Sequence, residues 1–288
     1  MRIKESGFVI YDGKPSFITS KYNNAKLKNK EMRNLKDQIV VIQILTPSKN
    51  RKTGNMMQTF ILNKNLDPML ANKNGLDLQC GSCKLTGEIN DDPNAKTAKD
   101  RVCYVSIYQS VLQVFKSFKK GNYPKIDPVE LAKRINDDPS FDDRGQRHGS
   151  YGDSGTVPFH VLDSFQNKLD EKKKRTLTGY TNQYSEKTAS IHDFLMVSAN
   201  SLEQADQAWQ NKKRTFRVLR ENEQITKNEI LCPFPKVQCN ECGLCDGRKN
   251  AKSIAIEVHG AGKNNLLKIE KLEKIYSKII EENSDKKN

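Results

Sequence analysis

The seven cysteines of this 288-residue chain fall into two groups whose spacing suits metal binding. The upstream group has three members and the downstream group has four, at positions Cys80, Cys83 and Cys103, then Cys232, Cys239, Cys242 and Cys245. Four thiolates can saturate a tetrahedral zinc ion or the four iron corners of a 4Fe–4S cluster, whereas three leave one coordination position open for a substrate. The two groups therefore predict one closed centre and one reactive centre.

The CxxCxxC run of the downstream group is the strongest of these signals, because turns of that spacing direct successive sulfur atoms to one metal or cluster. A rival arrangement pairs Cys80 and Cys83 with Cys242 and Cys245 as a zinc knuckle and leaves the other cysteines outside the site. Cys103 could instead be a core residue at the edge of a strand or helix. The residues alone leave these alternatives open.

The length and the apolar content of the chain limit the classes of protein to which it can belong. A chain of 288 residues can bury a sizeable core, so disulfides are not needed to hold it together. There is no signal peptide and no apolar run near the roughly 20 residues that a membrane helix needs. We therefore expect a protein of the reducing cytoplasm, without membrane contact, whose thiols stay free.

The positive charge is concentrated at the start of the chain. The formal net charge is +14, and residues 1–52 hold twelve Lys and Arg against four Asp and Glu. A chain this basic is attracted to polyanions, so residues 1–36 are predicted to be a basic, partly disordered arm that contacts nucleic acid. The alternative is a solvated surface that reflects only a Lys-rich composition.

The pattern of apolar runs predicts a cysteine-containing α/β domain over residues 37–265. The runs QIVVIQILTP and MMQTFIL have the length and composition of buried strands. From Arg147 onward, short strands alternate with polar loops and helices, which is typical of a parallel sheet in a partial or complete α/β barrel-like core. Residues 266–288 space their apolar side chains as one helical face and then end in a frayed tail.

Polar residues follow nearly every predicted strand. In parallel α/β folds the loops at the carboxyl ends of the strands converge, and the chemistry collects there. The strand-end positions include both cysteine groups, and the further polar candidates are Gly149, Gly152, Asp153, Thr181, Asn182 and Ser198. We expect these residues to share one edge of the sheet with the metal centres.

Eight segments resemble, in order, an uncharacterised cysteine-rich family of bacteriophage and prophage proteins. They are GSCKL, RVCYV, GSYGDSGTVPF, LTGYTNQY, LMVSANSLEQADQAW, TFRVLR, CNECGLCDG and SIAIEVHG. The resemblance extends from about residue 40 to residue 263. It implies a phage lineage, and hence the host cytoplasm, but no mechanism.

A more distant similarity is to radical SAM enzymes, whose partial α/β barrels hold a 4Fe–4S cluster on three cysteines after the first strand. A glycine-rich turn after the next strand of those enzymes receives S-adenosylmethionine. The resemblance implies that the upstream cysteines hold a reactive cluster, that the downstream four hold a second one, and that the cofactor contacts are Gly149, Gly152, Asp153, Thr181, Asn182 and Ser198. Nineteen residues separate Cys83 from Cys103 here, and a loop of that length closes at an entropic cost that grows only logarithmically.

Two functions follow as expectations. The first is a metal- or iron–sulfur-centred phage protein that acts as a radical SAM-like redox or modification enzyme. The second is a non-enzymatic zinc protein that binds nucleic acid in phage replication through its basic arm. In the first case Gly152 serves the close approach of a ligand, so a valine there would abolish S-adenosylmethionine binding and leave the fold intact.

Overall fold

The computed structural model of the protein describes residues 2–47, 50–183, 186–220, 222–258 and 263–267. Its strands, within these ranges, are β1 Gly7–Gly13, β2 Ile39–Ile44, β3 Met57–Asn63, β4 Gln146–Tyr151, β5 Leu177–Thr178, β6 Tyr180–Thr181, β7 Met196–Ala199, β8 Thr215–Leu219, β9 Glu229–Leu231 and β10 Ser253–Glu257. The α-helices are α1 Ser20–Lys28, α2 Pro68–Lys73, α3 Leu112–Lys119, α4 Pro128–Asp137, α5 Phe159–Asp170, α6 Leu202–Gln210 and α7 Cys239–Cys242. A π-helical turn at Ile107–Val111 precedes α3.

The first sheet has the order β1-β2-β3-β4-β5 and is mixed. Strands β1, β2 and β3 pair antiparallel, and β3, β4 and β5 pair parallel. The fully parallel sheet expected from the sequence is therefore corrected here. Among its described residues, the connection between β2 and β3 contains no helix, whereas parallel neighbours are usually joined through a helical crossover.

The second sheet has the order β6-β7-β8-β10-β9, and all of its strand pairs are parallel. Only Gly179 separates β5 from β6, so one short segment passes from the first sheet into the second. A Cβ atom on Gly179 would lie 2.7 Å from Leu195 Cδ2, which explains the glycine at this close approach. The α/β class is confirmed, but the strand pairs of the described residues give no closed barrel.

Apolar side chains cover both faces of the first sheet. All residues of β2 and β3 are buried. One face packs with α4 and α5 through Leu131 and Phe165, and the other face packs with α3 through Val114 and Phe115. A strand that is buried on both faces needs a continuous apolar run, which is the pattern of QIVVIQIL.

Within residues 2–36, strand β1 and helix α1 pack with other described parts of the chain. Strand β1 pairs with β2 along its length, and α1 buries Tyr22 and Ala25. The ammonium group of Lys26 lies 2.6 Å from a carboxylate oxygen of Asp37. The segment GFVIYDG supplies the strand, and Lys28 and Lys30, at the end of α1 and just after it, are exposed.

Two side chains close the amino terminus of α6. Ser201 Oγ accepts a hydrogen bond from the Gln204 amide (3.2 Å), and Gln204 Oε1 accepts one from the Asn200 amide (2.8 Å). Residues 263–267 are helical. The rest of the predicted helix and tail at 266–288 lies outside the described residues. No helix of the described ranges is long and apolar enough to span a membrane.

His148 of β4 is a buried, uncharged part of the core. Its Nε2 atom lies 2.9 Å from Gln166 Oε1, and its ring packs edge-on against the rings of Phe165 and Phe194. Burial lowers its pKa to about 4, while Arg248 lowers it and Asp170 raises it by smaller amounts. Below about pH 6.5 the His148 side chain is therefore protonated in the unfolded chain, whereas in the folded chain it stays neutral down to about pH 4.

This difference predicts a loss of stability in mild acid. Between pH 7.5 and pH 5 the free energy of unfolding should fall by about 2 kcal/mol through His148 alone. Urea unfolding at both pH values measures the fall, and His148→Gln keeps a hydrogen-bonding side chain without the titrating ring. An equal fall in the variant and in the natural protein would assign the acid sensitivity to other groups.

Candidate functional site

The upstream cysteines meet at the carboxyl edge of β3. Cys80 and Cys83 lie in the turns that follow α2. The amide groups of Val102 and Cys103 both donate to the Leu85 carbonyl, at 3.1 and 2.9 Å, so residues 84–102 loop out and return. Cys103 thereby comes close enough to Cys83 that a negative charge on either thiol would raise the pKa of the other.

Burial raises the pKa of all three upstream thiols. At neutral pH the thiols are therefore protonated, and their conversion to thiolates needs a compensating positive charge. A bound metal ion or cluster supplies such a charge and releases the protons. The chemistry of this donor set fits a metal centre.

A buried amide holds the loop between Cys80 and Cys83 in place. Gln183 Oε1 accepts hydrogen bonds from the amide (3.0 Å) and the hydroxyl (2.8 Å) of Ser82. Gln183 Nε2 donates to the Cys80 carbonyl and to Asp153 Oδ2, each at 3.1 Å. Sequence reasoning missed Gln183, although it directly follows the predicted contacts Thr181 and Asn182. Such outer partners fix the orientation of metal ligands.

The turn Gly149–Asp153 lies at the same edge, but its contacts are structural. The Asp153 amide donates to the Gln79 carbonyl at 2.8 Å, which places the turn beside the upstream cysteines. Its Oδ1 accepts from Thr181 Oγ1 and the Gly155 amide, and its Oδ2 accepts from the Asn182 amide and Gln183 Nε2. Each carboxylate oxygen thus has two donors, which leaves no acceptor site for the amino group of a ligand.

The two glycines of this turn pack against the protein itself. A Cβ atom on Gly152 would lie 2.6 Å from the Ile61 carbonyl oxygen, and one on Gly149 would lie 3.1 Å from the Gly152 carbonyl oxygen. The expectation that Gly152 serves ligand approach is therefore corrected: its missing side chain makes room for β3. The ligand-receiving role implied for Gly149, Gly152, Asp153 and Thr181 has no support in this geometry.

The remaining two predicted contacts lie nearer to open space. Asn182 Oδ1 accepts a hydrogen bond from Asn200 Nδ2 at 2.9 Å. Ser198 lines a cavity of about 270 Å³ together with Asn200, Tyr104 and Val102. Because Val102 and Tyr104 flank Cys103, this cavity opens directly beside the upstream thiols.

Three of the four downstream cysteines, Cys239, Cys242 and Cys245, lie toward the opposite edge of the strands, whereas Cys232 directly follows β9. The Cys239 amide donates to the Lys52 carbonyl (2.8 Å) ahead of β3, and Asn240 Oδ1 accepts from the Gly145 amide (2.7 Å) just before β4. The sequence had placed this group at the carboxyl edge. Parallel strands β9 and β10 require the chain between them to return to the amino edge, and residues 232–252 make that return.

All four downstream cysteines line one small cavity of about 20 Å³. Gly243 follows α7 with a φ of 57°, a left-handed conformation that turns the chain toward Cys245. Burial raises the pKa of Cys245 to about 12, and a hydrogen bond from Tyr180 opposes the rise. Since the upstream group lies at the other edge, the zinc knuckle that would combine the two groups is not formed.

The described side chains of the two cysteine groups are not arranged around a position that could hold a metal ion. All seven cysteines are free. Among the described residues, no three Cys, His, Asp or Glu side chains are arranged so that they could hold a metal ion. The donor chemistry of the thiols suits a metal centre, whereas the arrangement of the described side chains does not form one.

A cavity of about 250 Å³ lies between the two thiol groups. Tyr104, the neighbour of Cys103, lines it together with Cys239 of the downstream group. Arg147 also lines it. Burial raises the pKa of the Tyr104 hydroxyl, and the nearby positive charge of Arg147 opposes that rise. Sequence reasoning missed this cavity, because its walls come from segments far apart in the chain.

Comparisons with family models, with curated proteins and with solved structures give no match to this chain. The fold and the site therefore carry the functional argument. They define an α/β protein with two groups of free thiols at opposite strand edges and a ligand-sized cavity between them.

Proposed function

We propose that the protein is an iron–sulfur enzyme of the radical SAM-like type that carries out a redox or modification reaction. One observation carries the proposal: a single cavity has the neighbour of Cys103 on one wall and Cys239 on another. A ligand in that cavity lies beside both thiol groups. Such placement suits a reaction between two metal centres better than it suits a purely structural zinc site.

The two groups have different roles in this proposal. Cys80, Cys83 and Cys103 would hold a cluster with one open coordination position, and the downstream four would hold a closed one. An iron–sulfur cluster, when bound, supplies one-electron chemistry. Gln183 orients the loop of Cys80 through its bond to the Cys80 carbonyl (3.1 Å).

In this proposal, S-adenosylmethionine would bind in the cavity of about 270 Å³ that Ser198 lines. That cavity borders the loop of Cys83 and Cys103 through Lys84 and Val102. It shares Tyr104, Phe216 and Val218 with the cavity between the thiol groups. Cofactor and substrate would then meet across these three side chains.

The non-enzymatic zinc protein remains the alternative. Its basic arm is less available than the sequence suggests, because Lys26 pairs with Asp37 and Lys21 donates to the Gly87 carbonyl at 2.6 Å. Nucleic-acid contact through residues 1–36 stays a prediction.

Anaerobic purification followed by metal analysis tests the proposal. Two clusters predict about eight iron atoms and about eight acid-labile sulfides per chain. Reduction in the presence of S-adenosylmethionine should then yield methionine and 5′-deoxyadenosine. One or two zinc ions per chain without iron or sulfide would overturn the enzyme and favour the zinc protein.

A further inference from the structure

Two cationic side chains line the cavity between the thiol groups. They are Lys52 and Arg147, and none of the described residues that line this cavity is acidic. Both lie on the wall of this cavity together with Cys239. The positive field of the pair is therefore concentrated inside the cavity, which favours a negatively charged ligand.

The walls of the same cavity are aromatic. Tyr180 and Phe216 stack with ring centres 4.1 Å apart and planes inclined by 28°. Tyr104 and Phe234 also line the cavity, and the Lys52 ammonium lies 5.6 Å from the centre of the Phe234 ring. Flat, apolar walls next to cations suit a ligand that has a planar ring system and an anionic group.

A second, larger cavity of about 760 Å³ adjoins the first. The two share Asn50, Tyr104 and Arg147, so Arg147 stands at their junction. The other polar side chains that line the second cavity are neutral amides and hydroxyls. They belong to Ser6, Thr46, Gln58, Ser106, Gln109, Ser110, Gln113, Tyr123 and Ser150. Such groups hydrogen-bond to sugar hydroxyls and base edges without adding charge.

The π-helical turn before α3 shapes this second cavity. Gln109 has φ −106° and ψ −110°, outside the helical region, and both Gln109 and Ser110 line the cavity. The kink at Gln109 thus lies on the wall of the second cavity.

We infer that the paired cavities bind a nucleotide, with the base against the aromatic walls and the phosphate on Arg147 and Lys52. An arginine carries five donors in a planar fork, so Arg147 can donate to two phosphate oxygens at once. The inference deepens the proposed function, on which it rests for the reaction, by naming the class of substrate. The nucleotide can be free or one unit of a strand, and the net charge of +14 attracts either form.

Calorimetric titration of the anaerobically purified full chain tests the inference. The probes are AMP, GMP, CMP and UMP, with adenosine and inorganic phosphate as partial ligands. We expect saturable binding of at least one nucleotide, and binding of each partial ligand that is weaker by about tenfold or more, because each makes only half of the contacts. Phosphate that binds as tightly as the nucleotides would overturn the role of the aromatic walls.

Variants assign the binding to this cavity. Arg147→Gln and Phe234→Leu should each weaken nucleotide binding by about tenfold. Arg134→Gln removes the same charge from an exposed position on α4 and should leave the binding unchanged. Circular dichroism and iron content verify that each variant is folded and loaded. Unchanged binding in both cavity variants would overturn the inference.

A ten-residue single-stranded oligonucleotide distinguishes the two sources. Tight binding of mononucleotides assigns a free nucleotide, whereas binding of the oligonucleotide alone, lost in Arg147→Gln, assigns a unit of a strand. Absence of saturable binding by every probe would overturn the inference. Since iron and sulfide are measured on the same preparation, failure of the nucleotide site is distinguishable from failure of the iron–sulfur enzyme.

Discussion

Cys103→Ser is expected to remove about half of the bound iron and sulfide from the anaerobically purified protein. The upstream site has only three thiols, and loss of one leaves too few ligands to retain a cluster. Cys239→Ser combined with Cys242→Ser should remove the other half, because only two thiols then remain at the downstream site, fewer than the three that would hold the upstream cluster. All three substitutions together should leave almost no iron.

The independence of the two losses follows from the fold. The upstream group is fixed to the carboxyl edge through the Gln183 bond to the Cys80 carbonyl, and the downstream group is fixed to the amino edge through the Cys239 amide. Ser106→Ala, which is close to Cys103 in sequence and carries no thiol, is the matched control and should keep all of its iron. Complete loss of iron in Cys103→Ser, or in the variant that lacks Cys239 and Cys242, would instead indicate one centre shared by both groups.

The sequence predicts the α/β class and the grouping of the cysteines well. Alternating strands and helices after Arg147 require helices packed on a sheet, and the CxxCxxC spacing requires a tight turn, which Gly243 forms at φ 57°. Both features depend on residues close together in the chain. Local spacing therefore fixes them.

Features that depend on long-range pairing could not be predicted in this way. The antiparallel pairing of β1, β2 and β3 is a property of the connections and not of the runs themselves. The same holds for the edge occupied by Cys239, which follows from the parallel pairing of β9 with β10. The sequence pattern predicts that a cysteine that follows a strand lies at the carboxyl end of that strand. In the structure the chain after β9 returns across the sheet and brings three of the four downstream cysteines toward the amino edge.

The cavity between the thiol groups also depends on distant segments. Tyr104, Arg147, Phe216 and Cys239 line it together, and each lies in a different element or loop of the chain. No spacing rule connects such residues. Gln183 is similar, because its role depends on the turn of Ser82, which is 101 residues away.

Gly152→Ala is expected to abolish stable folding rather than the binding of any one ligand. The new Cβ atom would lie 2.6 Å from the Ile61 carbonyl oxygen and 2.7 Å from the Ile61 Cβ atom. Both contacts are much closer than van der Waals separation, and neither atom is the end of a flexible side chain. Strand β3 would have to move, although all of its residues are buried in the first sheet.

Gly121→Ala separates this clash from backbone strain. Gly121 has the same φ of 76° as Gly152, but a Cβ atom there would have no heavy atom within 4 Å. Its substitution should cost only the left-handed conformation, about 1–2 kcal/mol. Gly152→Ala carries the same cost and an overpacking cost of roughly 1–3 kcal/mol or more in addition.

Urea unfolding of both variants measures the difference in the free energy of unfolding. We expect Gly121→Ala to unfold cooperatively at a slightly lower urea concentration. We expect Gly152→Ala to be far less stable or to be recovered without native structure, together with loss of the upstream iron, because its turn contacts Gln79 beside Cys80. Equal stability of the two variants would show that β3 yields to the new side chain. In that case the glycine is not needed for packing, and a role in ligand approach would again have to be considered.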